Sequence, residues 1–275
     1  MSAPDTRAAE HPDPRDRAKR LQTLLDMLAE RGRLSVTAAA ATLGVSEATV
    51  RRDFAALADQ QLVTRTHGGV VATSVAYELP VRYRESDHSS PKERIAGAAC
   101  DLVKQGMVVA FNGGTTTSAT ARRLAARADL AQSPQRPAVT VVTNALNIAT
   151  EMVLRPYIRT VILGGVALPQ SYELTGPLAT LVLQELWLDM LVLGVDGFSL
   201  DSGASCHDEG EAGVNAMMVR RARHVVVVAG SEKLGRRSFA RICDASAVDV
   251  LVTDRDADAG AVADMRAAGI TVTLA

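Results

Sequence analysis

The chain has 275 residues, 47% hydrophobic and 22% charged, with a formal net charge of −1; this is ordinary globular material, long enough for one large domain or two moderate ones. Near-neutral charge means that any nucleic-acid surface must be local, and no apolar run approaches the roughly 20 residues of a membrane span. Aromatic residues make up only 3%, so the core is built from Val, Leu, Ile and Ala, and three widely spaced cysteines, Cys100, Cys206 and Cys243, argue against a disulfide framework and for a reducing cytoplasm.

Residues 1–16 hold Pro, Asp, Arg and Ala with no apolar h-region, so they read as a disordered leader, not a secretory signal. From Arg17 to Glu30, Leu21, Leu25 and Leu28 recur at helical spacing with Leu24 beside them, and Arg31-Gly32 closes that helix. Ser35 can cap a second helix in which Val36, Ala39, Ala40 and Leu43 share a face, and Gly44 ends it. Ser46 can cap a third, with Glu47 in its first turn, where a carboxylate suits the helix dipole. On this third helix Val50, Phe54 and Leu57 point inward; Ala48, Thr49, Arg52 and Ala55 lie opposite, with Arg51 on the flank. Charged helix faces are usually just solvated, here with Asp53 as an ionic neighbour. Yet small residues, a hydroxyl and arginines can also enter a major groove and reach bases or phosphates.

Leu62–Arg65 and His67–Val71 then read as two short strands joined by a tight turn, with Arg65 and His67 near its tip, within reach of a sugar–phosphate backbone. Helix, glycine turn, helix and hairpin in that order make a winged helix-turn-helix over 17–71. Eight basic residues face five acidic ones between Arg17 and Val70. So slight an excess implies that one copy binds DNA weakly and that pairing is required for tight binding.

The run LSVTAAAATLGVSEATVRRDFAALADQQLVTRTHGGV, Leu34 to Val70, resembles the N-terminal module of the DeoR family of bacterial transcriptional regulators. Leu34, Leu43, Val45-Ser46, Thr49-Val50-Arg51-Arg52-Asp53, Leu57 and Arg65 through Gly69 carry the match. The resemblance implies that Ser46, Thr49, Arg51 and Arg52 face DNA while Asp53 orients its neighbours.

Residues 72–91 lose periodicity and gather Pro, Ser and charge, as a linker does, with Tyr77 to Arg84 packed or strand-like. Beyond Lys92, apolar runs alternate with helical segments. The runs are Met107–Phe111, Val139–Thr143, Thr160–Leu163, Leu188–Val195, His224–Ala229, Val248–Thr253 and Ile270–Leu274. Lys92–Val103, Thr116–Arg127, Leu146–Leu154, Leu178–Leu186, Glu211–Arg221 and Ala257–Ala268 are the helical candidates. Near-continuous apolar strands separated by helices predict an α/β domain with a buried, mainly parallel sheet over 92–275.

Ligands in such sheets sit at the carboxyl ends of strands. There the chain places Asn112-Gly113-Gly114-Thr115-Thr116, Thr143-Asn144, Gly164-Gly165, Asp196-Gly197 and Gly230-Ser231-Glu232-Lys233. Glycines admit backbone N–H groups, threonines add donors, a helix N-terminus favours an anion and Lys233 supplies a point charge. Each loop alone reads equally as a tight strand-to-helix turn; five at one edge point to a phosphorylated small molecule. Neither a Walker loop nor G-x-G-x-x-G spacing is present, so nucleotide binding has no positive signal. Cys206-His207-Asp208-Glu209 cannot all face one metal ion and reads as a loop lining the pocket. Neither a cofactor nor a metal is called for.

From Lys92 to Asp254 the resemblance continues into the family's effector-sensing domain, which is similar to ribose-5-phosphate isomerase and CoA-transferase folds and responds to phosphorylated sugars or related metabolites. Gly114-Thr115-Thr116, Thr143-Asn144, Gly164-Gly165, Gly176, Gly194 to Gly197, Glu211-Ala212 and Ser231 with Lys233 carry it. It implies an effector site that includes Glu211 and Asp196. The family usually has Asp where Asn112 and Gly230 stand, which alters hydroxyl and amine recognition and keeps the phosphate cradle.

The leading expectation is therefore a cytoplasmic regulator, a repressor of a sugar or carbohydrate operon. Its partners are a double-stranded DNA operator, a phosphorylated sugar effector and further copies of itself, with no membrane. The rival is a sugar-phosphate isomerase or acyl-transferase-like enzyme fused to a DNA-binding domain, with Lys233, Glu211 and Asp196 as acid/base groups. A ligand-free architectural DNA binder leaves the five loops unexplained.

Overall fold

The computed structural model describes residues 17, 20–21, 23–25, 27–28, 33–59, 63–66, 68–72, 90–134 and 136–275. They fall in two compact units, Met1–Arg84 and Glu85–Ala275. The expected leader, His67 and most of the expected linker, including Tyr77–Arg84, lie outside the described residues.

In the first unit the described residues between 17 and 28 are helical. Helix α1, Val36–Leu43, starts where the Ser35 Oγ accepts the Ala38 N–H at 3.2 Å and stops at Gly44, whose φ of 64° is left-handed. Helix α2, Glu47–Asp59, follows. Leu24, Leu28, Val36, Ala39, Val50, Phe54 and Leu57 close the core. The hairpin pairs β2, Val63–Thr66, with β3, Gly69–Ala72.

A third strand, β1, Arg33–Ser35, pairs antiparallel along the other side of β3. In the sequence only Ser35 of this strand carries a signal, as a helix cap. A Cβ at Gly69 would lie 2.9 Å from the Ser35 Cα, so glycine is what lets β1 come this close.

The second unit opens with α3, Pro91–Asp101, capped by the Ser90 Oγ and carrying proline in its first turn. All seven apolar runs form one sheet: β4 (Val108–Phe111), β5 (Val139–Thr143), β6 (Ile158–Ile162), β9 (Met190–Gly194), β12 (Val225–Val228), β14 (Val250–Thr253) and β15 (Thr271–Leu274). Every pairing in it is parallel. Successive residues split between two cores, Leu191 and Leu193 in one, Met190 and Val192 in the other, so both faces are covered.

The order across the sheet is β15-β14-β12-β9-β4-β5-β6. The chain enters at β4, runs to one edge through β6, then returns beside β4 as β9 and runs to the other edge. A doubly wound sheet of this kind has its crevice at the carboxyl ends of the two strands where the winding reverses, β4 and β9.

Flanking that edge are a two-stranded ribbon, β7 (Val166–Ala167) with β8 (Leu174–Thr175), and an antiparallel sheet of β10 (Gly197–Ser199), β11 (Gly203–Cys206) and β13 (Ala240–Cys243). Neither stands out in the sequence as a periodic run. Helix α4 is Thr115–Ala125; α5 is Ala128–Ala131; α6 is Leu146–Met152; α7 is Pro177–Gln184; α8 is Glu209–Arg221; α9 is Ala259–Ala267.

Candidate nucleic-acid interface and sensor site

Helix α2 presents two faces. Val50, Phe54 and Leu57 are buried, and Glu47, Ala48, Arg51 and Arg52 are exposed, with Thr49 and Ala55 half-buried. Exposed Ser46 accepts the Thr49 N–H at 3.2 Å, and its hydroxyl lies 2.9 Å from the Thr49 hydroxyl.

Asp53 is 2% exposed. Its carboxylate takes two bonds from the Arg20 guanidinium, at 2.6 and 3.2 Å, with Arg17 at 3.7 Å. It ties α2 to the helical residues between 17 and 28, and among the described residues it does not pair with Arg51 or Arg52. Arg51 reaches Glu47 at 3.4 Å, with both side chains exposed; such a pair is worth about 0.3–0.5 kcal/mol and gives way readily to a phosphate. Arg52 and exposed Arg65 make no ion pair among the described residues.

In the second unit the predicted residues follow the ends of several parallel strands, and one group lies at the winding reversal. Asn112 follows β4 and Gly194 ends β9. The Asn112 carboxamide donates to the Gly194 carbonyl at 3.0 Å and accepts the Gly194 N–H at 2.7 Å. Only a carboxamide gives and takes in this way; a carboxylate could only accept. The side chain expected to meet effector thus ties the two strands together.

Gly113 is pressed against Glu173, whose Cγ would lie 2.6 Å from a Cβ there. Glu173 is 3% exposed and accepts from the Asn144 amide at 2.8 Å. Asn144 is 0% exposed and its Oδ1 has no partner. Thr143 donates to the Phe111 carbonyl at 2.8 Å and accepts the Ala145 N–H at 3.0 Å. Gly114 caps α4 at φ 120°, ahead of half-buried Thr115 and buried Thr116. Gly164 and Gly165 lie where the chain passes Leu178 and Thr175.

A second group gathers at the ends of β9 and β12. Lys233 donates to the Val195 carbonyl at 2.6 Å and lies 3.9 Å from Asp196. Asp196 takes the His207 backbone N–H at 3.1 Å and stands 2.7 Å from its Nδ1. Burial pushes the Glu211 carboxyl above the ordinary glutamate value; a Ser171 hydrogen bond opposes this, and Asp208 and Asp196 add to it. The Cys206 thiol is pushed up to about 12 by burial, against a backbone hydrogen bond at Asp208 and with Glu211, Asp196 and Glu173 adding. It stays protonated at neutral pH, which makes it a poor nucleophile or metal ligand.

Glu173, Ser171 and Asp254 carry no local signal that marks them in the sequence as neighbours of these groups, and Asp208 is marked there as part of a pocket-lining loop. Asp208 had a local signal, since an acceptor three residues before a glutamate marks a helix start; its Oδ1 accepts the Glu211 N–H at 2.9 Å. Asp254 accepts the Ser231 N–H at 2.7 Å, which fixes the Lys233 loop. Burial raises its carboxyl, but hydrogen bonds from Ser231 and the Asp256 N–H outweigh that and hold it below the ordinary range. Where the family's aspartate is replaced by Gly230, the Glu232 carboxylate folds back against the glycine.

A helix with an exposed arginine face, ahead of a doubly wound sheet with polar groups at its winding reversal, is an arrangement that suits a ligand-responsive transcriptional regulator. The DeoR-like helix-turn-helix domain matches residues 20–75, and the DeoR C terminal sensor domain matches residues 87–255. The HTH-type transcriptional regulator GlpR of Haloferax volcanii is 32% identical over 93% of this chain and 96% of its own. A putative aga operon transcriptional repressor of Escherichia coli O157:H7 is 31% identical over 94% and 93%. The glycerol-3-phosphate regulon repressor of Escherichia coli K12 is 27% identical over 84% and 88%. The chain belongs to the DeoR family of transcriptional regulators. A D-ribose-5-phosphate isomerase structure with phospho-erythronic acid aligns with a TM-score of 0.39 at 15% identity, over 52% of each chain. That likeness is too slight to bear on chemistry.

Proposed function

We propose that the chain represses a sugar or carbohydrate-utilisation operon, with Ser46, Thr49, Arg51, Arg52, Arg65 and His67 contacting DNA and a phosphorylated sugar or related metabolite controlling that contact. The observation that carries this reading is the reversal of the sheet between β4 and β9, behind a DNA-reading module. It leaves the Asn112–Thr116 loop, the N-terminus of α4 and the Asp196–Lys233 pair at one edge. Phosphate is expected at Gly114, Thr115 and Thr116, and the sugar hydroxyls at Asn144, Asp196 and Glu211.

Sensing is favoured over turnover because the acid/base candidates are already committed: Lys233 to the Val195 carbonyl and Asp196 to His207. Further copies of the chain are expected as partners. Exposed Leu178, Leu181 and Val182 on α7, a helix without a charged residue, support this. For a symmetric pair, half-sites would be spaced by about 10–10.5 bp or multiples. The chain acts where its operator is, in the cytoplasm.

Thermal denaturation across a panel of pentose and hexose phosphates is the test. Protection by one of them, lost in Lys233→Ala, is expected. Conversion of a panel member to product would favour the enzyme instead.

A further inference from the structure

A cavity of about 790 Å³ opens on the antiparallel sheet, and none of the residues assigned above to effector is part of its lining. Its size falls within the roughly 300–1,000 Å³ of small-molecule pockets. Its walls include Arg237, Arg241, Ser238, Phe239 and His207, with Asp201 bringing a carboxylate. Arg237 is exposed and makes no ion pair among the described residues. Arg241 holds Asp244 at 2.6 Å through one nitrogen, with both groups exposed, so its other donors remain available.

Two independent features mark this cavity as a site and not a chance groove. The Ser238 Oγ is buried without a hydrogen-bond partner, while its backbone N–H is held by the Ser205 hydroxyl at 2.8 Å. A buried hydroxyl without a partner calls for an explanation, and Ser238 is one of the residues that line the cavity. Phe239 is 79% exposed and lines the cavity together with Arg237 and Arg241, an uncovered apolar plate in a polar wall. The segment is rigidly placed. The Gly235 N–H donates to the Phe198 carbonyl at 2.8 Å, and a Cβ at Gly197 would lie 2.6 Å from the Arg236 carbonyl oxygen.

We propose that this cavity is a second small-molecule site, which takes a phosphorylated metabolite with Arg237 as main anchor, Arg241 beside it and Ser238 as hydroxyl donor. Two planar guanidinium forks and a hydroxyl exceed what the two oxygens of a carboxylate accept, and they match a phosphate. Phe239 takes the apolar face of the metabolite. His207 joins the two sites: its ring lines the cavity and bonds Asp196, whose other oxygen lies 3.9 Å from Lys233. An occupant here is therefore felt at the sheet edge.

Inorganic phosphate titrated calorimetrically into the full chain tests this, with Arg237→Ala/Arg241→Ala and Lys233→Ala alongside. Wild type is expected to bind, and the double variant to lose a site or weaken by roughly tenfold or more. Both arginines are exposed, so the melting temperature should hold and confirm a folded variant. Phosphate binding that ignores the double variant overturns the proposal, as does no binding by wild type. Binding lost only in Lys233→Ala assigns the phosphate to the sheet edge; that outcome removes the second site and leaves the proposed function standing.

Discussion

The recognition helix and the sheet edge are both polar surfaces, built on opposite plans. On α2, Arg52 makes no ion pair among the described residues and Arg51 has only the exposed Glu47 at 3.4 Å. Asp53 anchors the helix from beneath without engaging either. At the sheet edge nearly every side chain is committed: Asn112 to Gly194, Asn144 to Glu173, Lys233 to Val195 and Asp196 to His207. DNA is a polyanion that rewards cations already exposed, through counterion release. A small ligand must instead exchange partners with groups that hold one another. In the proposed function that exchange would rearrange the edge, and a ligand shifts an equilibrium only if it binds the two arrangements with different affinity.

The largest effect expected from breaking this contrast is on DNA. Arg51→Ala with Arg52→Ala should weaken operator binding by about 4 kcal/mol, roughly a thousandfold, at 1–3 kcal/mol for each arginine. The salt slope should flatten while the melting temperature stays put; gel shifts over a salt series and a melting curve read both. Asp53→Ala removes a charge partner of the largely buried Arg20 guanidinium, so it should destabilise the first unit by about 1.5–3 kcal/mol. DNA binding then falls with the fold, visible as an early loss of helical circular dichroism.

Asn112→Asp cannot donate to the Gly194 carbonyl and should cost the second unit about 1–2 kcal/mol in urea unfolding, with the ligand-free DNA affinity unchanged. The smallest effect is at Glu211. Its carboxyl is raised by burial, so its contribution is fully present below the ordinary glutamate value of 4.5 and is lost as pH rises through the raised one. Glu211→Gln should therefore melt above wild type at neutral pH, with the gap closing as pH falls toward 4.5.

What was legible in the sequence follows the same division. The central strands of the large sheet, such as β9 and β12, are buried on both faces and stand out in the sequence as near-continuous apolar runs, whereas the edge strands β6 and β15 are partly exposed. Strands β10, β11 and β13 are three or four residues long, GFS, GASC and ARIC, and show no period. Helix starts carry local signals, and Ser35 and Ser46 were read from them. Strand order is set by contacts between distant segments, so the reversal between β4 and β9 could not be read. The same holds for Arg20 with Asp53, 33 residues apart, and for Glu173 against Gly113. Asn112 was read for its position at a strand end, which is correct, and for a ligand role that its two bonds to Gly194 leave little capacity to fill.

The most direct measurement is fluorescence anisotropy of DNA from the chain's own promoter region, titrated with wild type and with Lys233→Ala, with and without the phosphosugar that protects wild type against heat. The expected result is equal DNA affinity for both proteins without ligand, and a ligand-induced change of several-fold or more in wild type alone. A ligand effect of the same size in Lys233→Ala, or none in wild type, would contradict the assignment of the sheet edge as the sensor.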